Sequence, residues 1–337
     1  MPHKPLLALY SLTHLAVDFT CAFLLFRLAA GAPDWALALL LYNFCAFAMQ
    51  MPLGAIADRL NRNGVLAAAG CALTALSALM PAPLPLAIAA GLGNALFHLG
   101  GGLDTLNDST KKAAALGIFV SPGALGLALG TLCGKAGLLP LALPPLILLV
   151  LAVAILLLCR RTYGSLRSRN APPELTCAGR PAAIVPLFLV VVLRSYMGMQ
   201  QSFPWKADWA LLLTLMLVLG KASGGFLSDR LGPRRASMVS LTGAGLLYFA
   251  CVLPLPGLLA VLLFNMTMPI TLWAAARLLP GAKGFTFGLL TFALFLGFLP
   301  SYMGWPPLLT SPAAYVAVTA ISMGLLGLGL MGEGRTC

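Results

Sequence analysis

Two short polar stretches, alike and far apart, constrain this chain more than any other feature. Gly54-Ala-Ile-Ala-Asp58-Arg59-Leu60 and Gly225-Phe-Leu-Ser-Asp229-Arg230-Leu231 share the pattern G-x-x-x-D-R-L. Each Gly, Asp and Arg stands 171 residues from its counterpart, about half of the 337-residue chain. A signature recurring at one fixed offset marks an internal repeat. Each copy lies between two apolar runs of roughly the 20 residues that a bilayer-crossing helix needs. Each is therefore a turn that joins two membrane helices on one side of the bilayer. The Gly one turn before the acid lets a neighbouring helix approach closely. The Asp can accept hydrogen bonds from amides at another helix's N-terminus, where the macrodipole favours an anion. Arg59 and Arg230 can pair with an acid on an adjacent helix, and Arg62 and Arg234 follow in the same turns. One copy alone reads equally well as a polar turn enriched in basic residues; two copies in register do not.

The rest of the composition agrees. The chain is 60% hydrophobic and 9% charged, whereas soluble domains carry roughly 25% charge. Twelve apolar runs follow one another from Leu6–Ala30 to Ala313–Met331, the third (Val65–Met80), sixth (Leu141–Leu158) and ninth (Ala236–Leu253) being the shortest. A cytosolic N-terminus places sixteen Lys and Arg on the inner side against two, Lys135 and Lys206, outside, with Arg27, Arg194 and Lys221 inside spans. That split fixes the orientation expected from the positive-inside rule. It also accounts for the net charge of +12 without invoking nucleic acid. The longest connection, Cys159–Pro181, is basic and Pro-containing and reads as a linker. The expected domains are a six-helix bundle over 1–159, a cytosolic linker over 160–180 and a second six-helix bundle over 181–337. The eight cysteines show no C-x-x-C or Cys/His ligand spacing, so neither a disulfide framework nor a metal site is expected.

Ionisable groups inside membrane spans are costly and mark function by default. His14 and Asp18 are four residues apart and share one helix face. His14 lies roughly 12 Å from the start of the first helix and Asp18 near mid-membrane. His98, in the antiparallel fourth helix, lies at a similar depth, roughly 9 Å from the same surface. An imidazole with an ordinary pKa near 6.5 beside a carboxylate can trade a proton near neutral pH. The alternative is a mutually satisfied polar pair that holds helices together. Arg194, in the middle of the seventh helix, either pairs with Asp18 or binds an anionic substrate through its guanidinium fork. Lys221 lies near a helix end and is expected to snorkel. Asn265, Thr267, Pro269 and Trp273 on the tenth helix, with Gln200 and Gln201 on the seventh, line either a pocket or a polar seam. No nucleotide-binding G-x-x-x-x-G-K-[ST], H-E-x-x-H or G-x-S-x-G is present, so neither ATP-driven pumping nor a familiar hydrolase is expected.

The paired turns resemble the signature loops of the major facilitator superfamily, which lie between helices 2 and 3 and between helices 8 and 9; the first copy carries Asn61 where that pattern has Gly. Ser11-Leu-Thr-His14-x-x-x-Asp18, Gly91-x-Gly93-Asn-Ala-Leu-Phe97-His98-x-x-Gly101 and Leu193-Arg194-Ser195-Tyr196 are similar to the fosmidomycin-resistance branch, with Leu99 where that branch usually has Pro. Helix 5, with Ser121, Pro122 and Gly126, resembles the antiporter motif, Ser121 and Leu125 replacing glycines. The resemblance implies an all-α polytopic membrane protein of major facilitator fold, with 12 transmembrane helices in two pseudo-symmetric six-helix bundles. Helices 1, 4, 7 and 10 would line a central cavity. The implied activity is proton-coupled export of a drug-like or anionic compound by alternating access. Asp18, His14 and His98 would carry protons, and Arg194, Asn265, Trp273 and Gln200 would bind substrate. Asp58 and Arg59 would latch a gate, with Asp104 as the partner of Arg59. Partners would be a small-molecule substrate, protons and the lipid bilayer of a bacterial inner membrane, with both termini cytosolic, no cofactor and no nucleic acid, the protein acting as a monomer. Uptake of a metabolite, a non-transporting sensor and a lipid-active membrane enzyme are the competing readings.

Overall fold

The computed structural model describes residues 4–172 and 181–331. Cys177, Cys337 and the second part of the 160–180 linker lie outside the described residues. The chain folds as consecutive helices: α1 (Lys4–Ala29), α2 (Trp35–Leu60), α3 (Asn63–Leu79), α4 (Pro83–Asp108), α5 (Ala114–Ala136), α6 (Leu143–Tyr163), α7 (Ile184–Gln200), α8 (Ala210–Leu231), α9 (Pro233–Tyr248), α10 (Pro254–Leu278), α11 (Lys283–Tyr302) and α12 (Pro312–Gly329). Among the described residues nine of these are long and apolar enough to cross a membrane; α3, α7 and α9 are shorter. The expectation that the sixth run is short is corrected. α6 is a 21-residue helix that continues through Cys159, Arg160 and Arg161 to Tyr163 before Gly164 stops it in a left-handed conformation. Its last turn carries the arginines, where cations suit the helix dipole.

Several spans are locally irregular. α1 and α2 each contain a wider π turn, at Leu25–Ala29 and Phe44–Ala48. α5 is interrupted at Ser121–Pro122, because Pro122 cannot donate to the helical ladder and its ring crowds the preceding turn.

Close contacts divide the chain into two compact units, and the division does not simply follow the sequence halves. The first unit takes the chain up to Asp108, resumes at Pro122 through the start of the linker, and includes Gly281–Phe292. The second takes Ser109–Ser121, the chain after the linker up to Pro280, and the chain from Ala293 onward. α5 and α11 thus each change unit along their length.

In the first unit, α5 beyond Pro122 lies on α1 through a stripe of glycines. A methyl group at Gly126, Gly130 or Gly134 would meet the backbone carbonyls of Leu15, Phe19 and Phe23 in turn, so only hydrogen fits and the two helices approach at backbone distance. The start of the linker is docked rather than loose. Ser168 N–H donates to the carbonyl of Asn61 at 2.8 Å, and Asn170 N–H donates to Asn61 Oδ1 at 3.0 Å. In the second unit, Gly220 and Gly224 of α8 meet the carbonyls of Leu262 and Met266 in the same manner.

Candidate functional site

Three polar assemblies stand out, and each contact described in them lies within one unit. The first is in the first unit, where α1 and α4 face each other. His14 and His98 meet Nε2 to Nε2 at 2.8 Å. Asp18 Oδ2 lies 3.3 Å from His14 Nε2, and Asp18 Oδ1 lies 3.8 Å from His98 Nε2. Asn94, one turn before His98, donates its amide to Asp18 Oδ1 at 2.8 Å. His98 Nδ1 is 2.9 Å from the carbonyl of Asn94. A carbonyl only accepts, so His98 carries a proton on Nδ1 and a lone pair on Nε2 when neutral. The short contact between the rings then requires the proton to sit on His14 Nε2, where it can also reach Asp18 Oδ2. The sequence places the two histidines at a similar depth with Asp18 one turn further in, and the fold joins the three.

The ligand-type atoms of His14, Asp18 and His98 all lie within 4.8 Å of one another, which a metal ion could in principle use. The spacing between the rings is that of a hydrogen bond. Two nitrogens bound tetrahedrally to zinc at about 2.0–2.1 Å would stand about 3.3 Å apart, whereas 2.8 Å is a hydrogen-bond length. The floor of the cluster is Gly123: a methyl group there would collide with Asp18 Oδ2 and His14 Nε2. Neither Asn94 nor Gly123 is singled out by reading the sequence, although both stand inside motifs that are visible there.

The second assembly is a pair of equivalent carboxylate–amide contacts, called latches below, one in each unit. In the first unit, the amides of Gly284 and Phe285, in the opening turn of α11, donate to Asp58 Oδ1 and Oδ2 at 2.7 and 2.9 Å. In the second unit, the amides of Ala113 and Ala114, at the start of α5, donate to Asp229 Oδ1 and Oδ2 at 2.7 and 3.3 Å. The offset of 171 residues relates the acids and also relates the donors, Ala113 to Gly284 and Ala114 to Phe285. It relates the packing as well. Gly288 rests against Gln50 and Met51, and Gly117 rests against Lys221 and Ala222. Asn61 and the equivalent Gly232 both have positive φ (49° and 82°), while their ψ angles differ (44° and 151°). Asn tolerates positive φ better than most residues, so both turns reverse the sign of φ at the same position without sharing one backbone conformation.

The arginines behave differently from the expectation. Arg59, Arg62, Arg230 and Arg234 are exposed. Asp104 is not engaged by Arg59. It is buried and accepts hydrogen bonds from Tyr10 Oη and Asn63 Nδ2, both at 2.8 Å. Tyr10 on α1 and Asn63 at the start of α3 occupy both carboxylate oxygens from within the fold. Ser121 is spent locally, donating to the carbonyl of Ile118.

The third assembly, in the second unit, is a cavity of about 300 Å³ between α7, α8 and α10. Arg194, only 7% exposed, and Asn265 line it, together with Gln201, Lys206, Val261 and Phe264. Arg194 Nη1 donates to Thr267 Oγ1 at 3.2 Å. Lys206 donates to the carbonyl of Gln201, and partial burial lowers its ammonium below the usual lysine range. Of the expected substrate residues, Gln200 and Trp273 are placed elsewhere. Gln200 donates to Ser301 Oγ at 3.0 Å, and Trp273 Nε1 donates to the carbonyl of Ser109 at 2.9 Å with the Arg277 guanidinium over its ring at 4.6 Å. Gln201, Phe203 and Lys206 reach the cavity because the chain leaves helical geometry after Gln200, which apolar periodicity does not reveal.

No protein-family model matches the sequence, and no curated protein matches it. Solved structures do match. The chain resembles the fucose:proton symporter of E. coli with a TM-score of 0.64 and 14% identity over 96% of this chain and 98% of that one. A bacterial homologue of the iron transporter ferroportin, in its outward-facing state, matches with a TM-score of 0.64 and 17% identity over 96% and 97%. The human organic anion transporter MFSD10 matches with a TM-score of 0.64 and 16% identity over 98% and 100%. Identities this low speak to the fold alone, and the fold is that of the major facilitator superfamily transporters.

Proposed function

We propose that this protein is a secondary active transporter working by alternating access, and that protons bound at His14, Asp18 and His98 drive it. The observation that carries the reading is the hydrogen-bonded contact between the rings beside a carboxylate, inside a membrane-spanning unit. Adding a proton to His98 Nε2 puts N–H groups on both facing nitrogens and abolishes their bond. While His14 keeps its proton on Nε2, His98 can satisfy its new N–H on Asp18 Oδ1, now 3.8 Å away, by closing that gap. Proton uptake is thereby converted into movement of α4 against α1. A few kcal/mol of such differential interaction is enough to reverse a two-state equilibrium.

The latches give that equilibrium something to break. Each joins one half of the sequence to the other, through two charge-assisted hydrogen bonds to a helix N-terminus. They are the cytosolic closure of one conformational state in this reading, with Asp58 and Asp229 as paired gates.

The glycine stripe of α5 and the resemblance to the fosmidomycin-resistance branch support export by exchange with protons. The substrate is a small drug-like or anionic compound bound in the cavity at Arg194. The protein acts as a monomer in a bacterial inner membrane with both termini cytosolic, without a cofactor. The similar structures described as a proton symporter and an organic anion transporter are compatible with protons and an anion as partners.

The test is a panel of radiolabelled anionic, neutral and cationic drug-like compounds offered to proteoliposomes with and without an imposed pH gradient. At least one compound should accumulate in response to the gradient. If the wild-type protein moves none of them under either condition, the transporter reading fails. If transport follows added zinc or manganese instead of the pH gradient, the three-residue cluster serves a metal ion.

A further inference from the structure

We infer that the cavity between α7, α8 and α10 is built for an amphipathic organic oxyanion, a carboxylate or sulfonate head on an apolar body, with the head at Arg194. This rests on the transporter reading above and names the substrate class of that same site.

The charge distribution of the second unit points there. Its described acids are Asp208, which is exposed in the connection before α8, and Asp229, whose two oxygens are occupied by the amides at the start of α5. Among the described residues of this unit no carboxylate lies beside Arg194, and its described side-chain bond is the single one to Thr267. A guanidinium offers five N–H donors in a planar fork that matches two oxygens of one oxyanion. A buried cation with most of its fork uncommitted is stabilised by an anion that arrives with the ligand.

The rest of the lining sets the other requirements. Leu213, Leu217, Val261 and Phe264 make the cavity apolar between its polar ends, so a bare inorganic anion would leave these walls uncovered and give up their contribution. Arg194 and Gln201 are seven residues apart, so the Gln201–Lys206 end lies roughly 10 Å along the axis from Arg194. Lys206 there adds a second positive charge. A cationic amphiphile of the same shape meets like charge at both ends, and a neutral one leaves the Arg194 fork as it was.

Equilibrium binding to purified protein in a non-ionic detergent tests this without requiring transport. The probes are naphthalene-2-sulfonate, its neutral sulfonamide, 2-naphthylmethylamine and inorganic phosphate, read by the thermal-unfolding midpoint as a function of concentration. The sulfonate should raise the midpoint with a half-saturating concentration about tenfold or more below that of the sulfonamide, and the amine and phosphate should have no effect. Arg194→Gln should lose the response to the sulfonate, and Arg194→Lys should retain part of it, because the charge remains and the fork does not. Leu217→Trp, which fills the cavity from the lipid-facing α8 and leaves Arg194 in place, should lose it too; the unliganded midpoint of each variant reports whether it folds. An equal response to sulfonate and sulfonamide, no response to the sulfonate, or a full response in both Arg194→Gln and Leu217→Trp would overturn the assignment. Gradient-driven transport of a neutral or cationic panel compound would leave the transporter reading standing while this assignment falls.

Discussion

A proton arriving at the α1–α4 cluster has few places to go, and single residues decide which. His98 is committed through Nδ1 to the carbonyl of Asn94, so its chemistry is confined to Nε2. His14→Ala removes the competing N–H donor but leaves His98, Asp18 and Asn94, so flux should persist with a displaced pH optimum, measured as initial rate across pH 5 to 9. Gly123→Ala should do more damage than its size suggests. The added methyl would collide with both Asp18 and His14, so the variant should lose stability by about 1–3 kcal/mol, as overpacked sites do, and its proton-driven flux with it. Gly126→Ala meets only the backbone of Leu15, which gives way less easily than side-chain ends; it should cost at least as much stability while the pH profile of the remaining flux stays unchanged. Comparing the two variants separates a packing defect from a defect in the proton site. The three titratable side chains were legible in the sequence because ionisable residues are conspicuous in apolar runs. Gly123 and Asn94 were not, because their importance lies in what another helix brings against them. Gln200 and Trp273 were polar residues in the right helices whose side chains are turned to Ser301 and Ser109 instead.

At the scale of helices, the two latches are equivalent parts that can be tested independently. Hydrogen bonds to a charged acceptor contribute about 1.5–3 kcal/mol each. Asp58→Asn should therefore speed amide exchange at Gly284 and Phe285 by at least about tenfold, while leaving Ala113 and Ala114 as in the wild type. Asp229→Asn should do the reverse, and hydrogen-exchange mass spectrometry of the reconstituted protein resolves both. Exchange that rises at both sites in either variant would mean that the latches open together rather than as separate elements. The acid-to-helix-terminus role was readable from the sequence, because an Asp after a close-packing Gly at a turn suits few other purposes. Its partner helices were not, since nothing in the sequence of α11 or α5 marks their first amides as acceptor-bound. The arginine partner expected for Asp104 failed for a related reason: Tyr10 is uncharged and does not advertise itself as a competitor.

For the molecule as a whole, the 171-residue offset relates the carboxylate–amide hydrogen bonds, the glycine packing and the sign of φ in the two turns. That is why the fold was legible from two heptapeptides and a charge count. The exchange of the first halves of α5 and α11 between compact units was not legible, because apolar helices of equal length give no sequence sign of which neighbour they choose. The orientation expected from the charge split has a direct check. In a cysteine-free background, Ser165→Cys should react with an impermeant maleimide only after permeabilisation, and Leu138→Cys should react in intact cells; the opposite pattern would invert the topology. The central claim, that the driving proton is held by the His14–Asp18–His98 cluster and depends on the Asp18 carboxylate, is tested most directly in proteoliposomes by comparing two kinds of flux for one transported compound. Asp18→Asn should retain exchange of labelled for unlabelled compound at zero gradient and lose accumulation driven by an imposed pH gradient. Accumulation in Asp18→Asn that still follows the pH gradient would contradict the account and place the proton site elsewhere.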